Sequence, residues 1–180
     1  MIEDLYNKVP LQVFSYLTMQ PEKTECTVTG IAKRLNVSKG SVSNALKKYS
    51  ALGLVRKTSV GKSVIHEASL DNPINSQFRK FDNLLRLQPL VNAIKNKTKR
   101  IILFGSCANG TDTINSDMDL FILIDSECKI EVEREINNYE IDRNISLLIV
   151  DELELVDMET EDNVFYKEIC KGIEIWGGKI

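Results

Sequence analysis

Two short polar elements in the second half of the chain contain residue types that bind phosphate groups and metal ions. Gly105 and Ser106 follow the apolar run 101–104, and after ten further residues Asp117 and Asp119 open a second apolar run. A Gly-Ser turn offers unhindered backbone amides and a hydroxyl to phosphate oxygens. Because side chains alternate along a strand, the two aspartates are expected on one face, with Cα atoms roughly 6–7 Å apart. Such a pair can share divalent cations, so the pattern predicts a site for a nucleoside triphosphate and its metal ions.

The order Gly-Ser, ten residues, Asp-x-Asp resembles the signature of the DNA polymerase beta superfamily, especially its small prokaryotic members, the minimal nucleotidyltransferases. The resemblance implies an α/β nucleotidyltransferase fold with a small mixed sheet. It implies that Asp117 and Asp119 are the catalytic residues and hold two Mg²⁺ ions, and that Gly105 and Ser106 bind the nucleotide, with ATP expected. The alternative is a Gly-Ser turn and an acidic loop that merely join two core strands.

One position departs from the family pattern. The family normally supplies a third carboxylate from the next strand, and at that place this sequence has Ser146. A neutral hydroxyl cannot replace a carboxylate as a metal ligand or proton acceptor, and its presence is expected to cost several powers of ten in rate. Asp142 and Asp151 are the nearby acids that a bend or a register shift would bring to this place. The sequence therefore supports nucleotide and metal binding better than turnover, and it leaves open whether the protein is an enzyme.

The first half of the chain has the pattern of a winged helix-turn-helix. Apolar residues repeat at i, i+3, i+4 and i+7 from residue 28 to residue 35, which predicts an amphipathic helix. Ser38 is a good N-cap for the next helix, and Gly53 is placed to end that helix in a left-handed conformation. Two short segments around Gly61 then predict a hairpin. Residues 28–66 thus resemble the DNA-binding domains of many bacterial and archaeal regulators.

Charge favours double-stranded DNA as the partner of this domain. Residues 24–66 contain eight Lys and Arg and one acid, although the whole chain has a net charge of −3. Cations that pair with phosphates release counterions, and in this docking mode the second helix enters the major groove. The predicted DNA-binding residues are Lys39, Ser41, Ser43, Asn44, Lys47 and Lys48 on that helix, with Arg56, Lys57 and Lys62 on the wing. The alternative is a solvated surface on a winged helix that binds protein.

These patterns predict two domains joined by a helical connector. Residues 1–70 are assigned to an all-α/winged-helix (α+β) domain, residues 71–95 to the connector and residues 96–180 to an α/β nucleotidyltransferase domain. Charge follows a similar division: residues 1–87 contain 13 Lys and Arg against 7 Asp and Glu, and residues 88–180 contain 10 against 19. The basic half is therefore the one expected to meet an anion.

Four smaller features also lead to predictions. Pro89 is expected to interrupt the connector helix. Leu52 is predicted to lie in the core, and His66 to lie half-exposed on a strand. The cationic run 95–100 is interpreted as a solvated lead into a buried strand, with steering of nucleotide phosphates as the alternative.

Composition predicts a cytoplasmic protein without a membrane segment. The four cysteines form no C-x-x-C pair, and with a single histidine they favour free thiols over a zinc site. No apolar run approaches the ~18 residues that span a membrane. The first residues also lack the cationic and apolar pattern of a signal peptide.

Two functional hypotheses remain open. The first is an enzyme that transfers a nucleoside monophosphate, with AMP expected, to a hydroxyl. This follows from the resemblance, since small family members commonly pair with a helical HEPN-type toxin and some modify its tyrosine. Resemblance thus implies a HEPN-type partner and an antitoxin role. The second is a DNA-binding transcription regulator whose nucleotidyltransferase-like domain is weak or inactive. By analogy with DNA readers of this type, a homodimer is also expected. An antibiotic-modifying transferase is less favoured, because the front half resembles a DNA reader.

Overall fold

A computed structural model describes residues 8–21, 24–69 and 71–177 of the chain. They divide into two compact units, one ending at Arg79 and the other beginning at Lys80. Residues 1–7, on which the prediction about a signal peptide rests, lie outside these ranges.

The N-terminal unit contains three helices followed by a two-stranded antiparallel hairpin. Its elements are α1 (Val9–Thr18), α2 (Val28–Leu35), α3 (Lys39–Ala51), β1 (Val55–Val60) and β2 (Ser63–Ala68). Buried apolar side chains from all three helices form its core together with Val55 of the hairpin. The order of elements confirms the predicted winged-helix architecture.

Local residue choices explain where the helices of this unit begin and end. Thr27 and Ser38 cap α2 and α3, and each side chain accepts a hydrogen bond from a backbone amide at 3.1 Å. Asn36 takes a φ of 54° between these helices, and Gly53 takes a φ of 69° after α3. The predicted roles of Ser38 and Gly53 are therefore confirmed.

Two predicted environments in this unit are wrong. Leu52 is 68% exposed, because α3 ends at Ala51 and Leu54, two residues later, enters the core instead. His66 is buried, with 7% of its surface exposed. The reason is that the segment at Cys26 lies along β2, where its carbonyl accepts a hydrogen bond from the His66 amide at 2.8 Å. Burial lowers the pKa of His66.

The connector is one uninterrupted helix, α4 (Pro73–Ile94), which includes Pro89. A proline inside a helix removes one backbone hydrogen bond and crowds the preceding turn. Buried side chains flank Pro89 on both sides, with Leu87 before it and Leu90 and Ile94 after it. Apolar packing at these positions holds the helix through the proline, so the predicted interruption is wrong.

The C-terminal unit is an α/β domain built on a four-stranded mixed sheet. After a 3₁₀ turn at Lys95–Lys97, its elements are β3 (Arg100–Phe104), α5 (Gly105–Asn109), β4 (Met118–Leu123), α6 (Lys129–Asn137), β5 (Ile145–Val150), α7 (Glu152–Glu161), α8 (Asn163–Cys170) and β6 (Ile173–Trp176). The strand order is β5-β4-β3-β6, in which β4 and β5 are parallel and the other two pairs are antiparallel. This confirms the predicted α/β fold class with a small mixed sheet.

Each face of this sheet carries its own apolar cluster. On one face, Ile101 and Leu120 pack with buried residues of α4 and α6. On the other face, Ile102 and Phe121 pack with Ile169 of α8 and with apolar residues of α7. Within the described ranges, no helix is long and apolar enough to cross a membrane.

Candidate functional site

Three strand ends meet at one edge of the mixed sheet and bring the predicted nucleotide-binding and metal-binding residues together. Because β3 is antiparallel to β4 while β5 is parallel to it, the end of β3 and the starts of β4 and β5 lie at this edge. The strand register places Phe104 opposite Asp119, and Asp119 opposite Ser146. Directly paired residues point to the same face of a sheet. These three side chains therefore form a row, with Gly105 immediately after β3 and Asp117 immediately before β4.

Gly105 lies in direct contact with the Asp119 carboxylate. Its φ of 66° is in the left-handed region, and a Cβ atom added there would lie 2.5 Å from Asp119 Oδ2. Only glycine fits both conditions. The next residue, Ser106, is half-exposed in the first turn of α5, and its carbonyl accepts a hydrogen bond from the Thr111 amide at 3.1 Å. The turn thus brings bare backbone next to the Asp119 carboxylate.

The Asp119 carboxylate is half-buried, whereas the Asp117 side chain is exposed. Burial raises the pKa of Asp119 above its usual value, and the negative charge of Asp117 raises it further. A hydrogen bond from the Ser146 hydroxyl and the positive charge of Arg143 act in the opposite direction on this pKa. A divalent cation would relieve the repulsion between the two carboxylates, so the electrostatics of the pair favour metal binding.

Neither Asp142 nor Asp151 replaces the missing third carboxylate. Both oxygens of Asp142 accept hydrogen bonds from Nη1 of Arg86, at 3.0 and 2.9 Å. Asp151 lies at the opposite end of β5, where it caps α7 and accepts a hydrogen bond from the Ser126 hydroxyl at 2.7 Å. Ser146 is therefore the side chain that β5 contributes beside Asp119.

The cationic run before β3 also lies away from this edge. Lys97 pairs with Glu131 at 2.6 Å, Lys99 pairs with Asp125 and Glu152 at 2.6 Å, and Arg100 pairs with Glu174 at 2.7 Å. These pairs surround the start of β3, whereas the Gly-Ser turn follows its end. The cationic run 95–100 therefore leads into β3. Its position does not support the alternative that it steers nucleotide phosphates.

Asp117 and Asp119 are the two carboxylates at this edge that could hold a metal ion. Among the residues that the structure describes, no group of three or more His, Cys, Asp or Glu side chains is arranged to hold a metal ion. Mg²⁺ commonly binds through one or two carboxylates together with substrate phosphates and water. A shallow cavity of about 370 Å³ also adjoins Asp117, lined by residues 114–117 and 141–144.

A buried polar network holds the loop between the two parts of the site, and sequence reasoning missed it. The Arg143 guanidinium donates hydrogen bonds to Asp112 Oδ2 at 2.8 Å, to the Ser116 carbonyl at 2.7 and 3.0 Å, and to Cys107 Sγ at 3.1 Å. The Cys107 thiol in turn donates to the Asp117 carbonyl at 3.3 Å. Arg143 therefore connects the helix that follows the Gly-Ser turn with the backbone of the aspartate pair.

This network had no clear signal in the sequence, since an acid in a polar loop and an arginine before a strand usually face solvent. Here the side chains of Arg143 and Asp112 are 1% and 0% exposed. Burial, aided by the negative charge of Asp112, raises the pKa of Cys107 to about 12, so its sulfur carries a proton at neutral pH.

The residues predicted to bind DNA lie at the surface of the N-terminal unit. Lys39, Asn44, Lys47 and Lys48 are exposed on α3, Ser41 and Ser43 are half-exposed there, and Arg56, Lys57 and Lys62 are exposed on the hairpin. Two of them also contact other residues: the Ser41 hydroxyl lies 2.8 Å from that of Ser38, and the Arg56 guanidinium lies 3.4 Å from the Asp71 carboxylate. Both contacts are at the surface, where a phosphate can replace them.

Comparison with protein families gives one match in each unit. Residues 88–179 match the family described as Polymerase beta, Nucleotidyltransferase, and residues 9–62 match the MarR family. No curated protein and no solved structure matches the chain. The first match covers just over half of the chain and includes the whole row of site residues. The second covers the three helices of the winged-helix unit, the first strand of its hairpin and the turn that follows. The chain therefore belongs to the polymerase beta nucleotidyltransferase family and carries a MarR-type winged-helix domain at its N-terminal side.

Proposed function

We propose that the C-terminal domain binds a nucleoside triphosphate, with ATP as the expected ligand, together with Mg²⁺. Gly105 and Ser106 would hold the β- and γ-phosphates, and Asp117 and Asp119 would be the metal ligands. The observation that carries this proposal is the contact between Gly105 and the Asp119 carboxylate. It supports a site in which a phosphate chain approaches bare backbone beside two acidic side chains.

The metal would neutralise phosphate charge and stabilise the oxygens that attack and leave the α-phosphorus. The chain supplies positioning through the Gly-Ser turn and the paired aspartates. It supplies no carboxylate from β5, where Ser146 stands in the row. We therefore infer that transfer of AMP to a hydroxyl is slow, and that nucleotide binding is the main property of the domain.

The N-terminal domain is proposed to bind double-stranded DNA through α3 and the hairpin. A DNA-binding domain favours a transcription regulator that responds to nucleotide over a dedicated transferase. The departure at Ser146 favours the same function, because it weakens catalysis without removing the nucleotide site. The antitoxin role with a HEPN-type partner, and a homodimer, are further proposals that rest on resemblance and analogy.

The nucleotide site is tested by the affinity of the full chain for Mg-ATP, measured by calorimetry. We expect Asp119→Asn to weaken binding by at least about tenfold, which is about 1.4 kcal/mol, because the cation loses one of its two charged protein ligands. Asp157→Asn is the matched control, since it removes the same charge from an exposed position on α7. Equal affinities of wild type and Asp119→Asn would contradict the proposed site.

A further inference from the structure

An aromatic ring from α8 reaches the face of the sheet that carries the site row. Phe104, which directly precedes Gly105, stands opposite Asp119 in the strand register. The ring centroid of Phe165 lies 6.1 Å from that of Phe104, and the two ring planes meet at 78°, an edge-to-face contact. The α8 helix thus places a second aromatic side chain beside the row in which Asp119 and Ser146 lie.

Phe165 keeps 40% of its surface exposed, while Ile169 of the same helix is fully buried in the core. Ile169 therefore already anchors α8 to the sheet. Phe165 lies in the first turn of α8, where the Asp162 side chain accepts a hydrogen bond from its backbone amide at 3.3 Å. The result is a partly exposed aromatic surface on the sheet face that carries the polar site row.

We propose that Phe165 is the surface on which the nucleobase of the bound triphosphate stacks, an inference that rests on the nucleotide binding proposed above. With the phosphates at Gly105 and Ser106 and the metal at the aspartates, the nucleoside extends from the α-phosphate. The Asp119 side chain points to the sheet face that α7 and α8 cover, since Asp119 and Phe121 alternate with the residues of the other face. Phe165 is an exposed aromatic ring on that side.

A stacking surface at Phe165 also favours one class of nucleotide over another. Base–aromatic stacking contributes through the π-face that every base has, and it does not require hydrogen-bond readout. The larger ring system of a purine gains more from such a surface than a pyrimidine does. Removing the aromatic ring is expected to weaken nucleotide binding roughly 5- to 150-fold.

The test compares a ligand that has a base with one that has none. The affinities of the full chain for Mg-ATP and for inorganic tripolyphosphate with Mg²⁺ are measured by calorimetry for wild type, Phe165→Leu and Phe165→Trp. Leucine keeps the apolar packing against Phe104 but removes the π-face. We expect Phe165→Leu to weaken ATP binding at least about fivefold and to leave tripolyphosphate binding unchanged, and Phe165→Trp to retain ATP binding. Val164→Ala, at a neighbouring residue that is 76% exposed, is expected to change neither affinity.

The failures of the two proposals are distinguishable. If wild type binds neither ligand, the nucleotide site itself is wrong, and the stacking proposal is overturned with it. If wild type binds both ligands and Phe165→Leu binds ATP as tightly as wild type, the stacking proposal alone is overturned. If Phe165→Leu weakens the binding of both ligands equally, the ring supports the structure of the phosphate site. That result would also overturn the stacking proposal.

Discussion

At the residue scale, the pairing of Ser146 with Asp119 decides what the site can do. The hydroxyl donates a hydrogen bond to the carboxylate and stands beside it in the parallel register of β4 and β5. A hydroxyl in this place stabilises the ionised form of Asp119 but carries no charge for a second cation and accepts no proton at neutral pH. Gly105 and Asp117, the other residues of the proposed site, are unaffected by this difference.

Restoring the carboxylate is therefore expected to raise turnover. We predict that Ser146→Asp increases the cleavage of Mg-ATP to AMP and pyrophosphate, with water as the acceptor, at least about tenfold, because a positioned general base that takes the proton of the water contributes typically 10²–10⁴-fold. Ser146→Asn, which has the same size but no charge, is the control, and calorimetry checks that both variants still bind Mg-ATP. Equal rates for the aspartate and asparagine variants would show that the missing charge does not limit catalysis.

At the element scale, the loop between α5 and β4 depends on a buried ion pair. Arg143 and Asp112 lie almost completely out of solvent, and the guanidinium also holds Ser116 and Cys107. A buried charge is tolerated only when its partner and its hydrogen bonds remain in place. These hydrogen bonds hold the loop in place between the Gly-Ser turn and the aspartate pair.

Breaking this pair is expected to destabilise the domain. We predict that Arg143→Met lowers the free energy of unfolding by about 3–5 kcal/mol, because Asp112 keeps its buried charge without the arginine. The double variant Arg143→Met with Asp112→Asn should recover part of the loss, as urea denaturation would measure. In contrast, Asp142→Asn removes the 55%-exposed partner of Arg86 and should cost less than about 1 kcal/mol. A loss for Arg143→Met no larger than this control would refute the role of the pair.

The sequence could predict elements whose cause is local. Ser38 and Gly53 mark helix ends because their own chemistry caps and terminates a helix, and the spacing from Gly105 to Asp119 brings both to one sheet edge once two strands are assumed. It could not predict outcomes that depend on distant packing. Pro89 stays inside α4 because core contacts on either side hold the helix, and the burial of Arg143 depends on residues far from it in the chain.

At the scale of the whole molecule, the two halves of the chain differ in the sign of their net charge. The basic half carries 13 Lys and Arg against 7 acids, whereas the C-terminal half carries 10 against 19. In the C-terminal domain, Lys97 and Lys99 are paired with acids of the same unit. The lysines of α3 are exposed at the surface, so they remain available for phosphate groups. An acidic chain overall is thus compatible with a DNA-binding domain.

This arrangement predicts strongly salt-dependent binding to duplex DNA. For about six phosphate contacts, the affinity of the full chain should fall by roughly 10³ between 50 and 200 mM salt, as fluorescence anisotropy would measure. We expect Lys47→Ala on α3 to reduce the salt slope by about one, because one phosphate contact is lost. Lys167→Ala, an exposed lysine on α8, is the control and should leave the slope unchanged. An affinity that changes less than about tenfold over this range would exclude a phosphate-based interface.

The buried thiol of Cys107 can report on local opening of the protein through its rate of chemical labelling. An alkylating reagent can reach this protonated, fully covered thiol only when the polar loop above it lifts away. The exposed Cys170 reacts without such an opening and serves as the internal standard. The ratio of the two labelling rates would therefore report how often the loop opens in the native protein, without an engineered label.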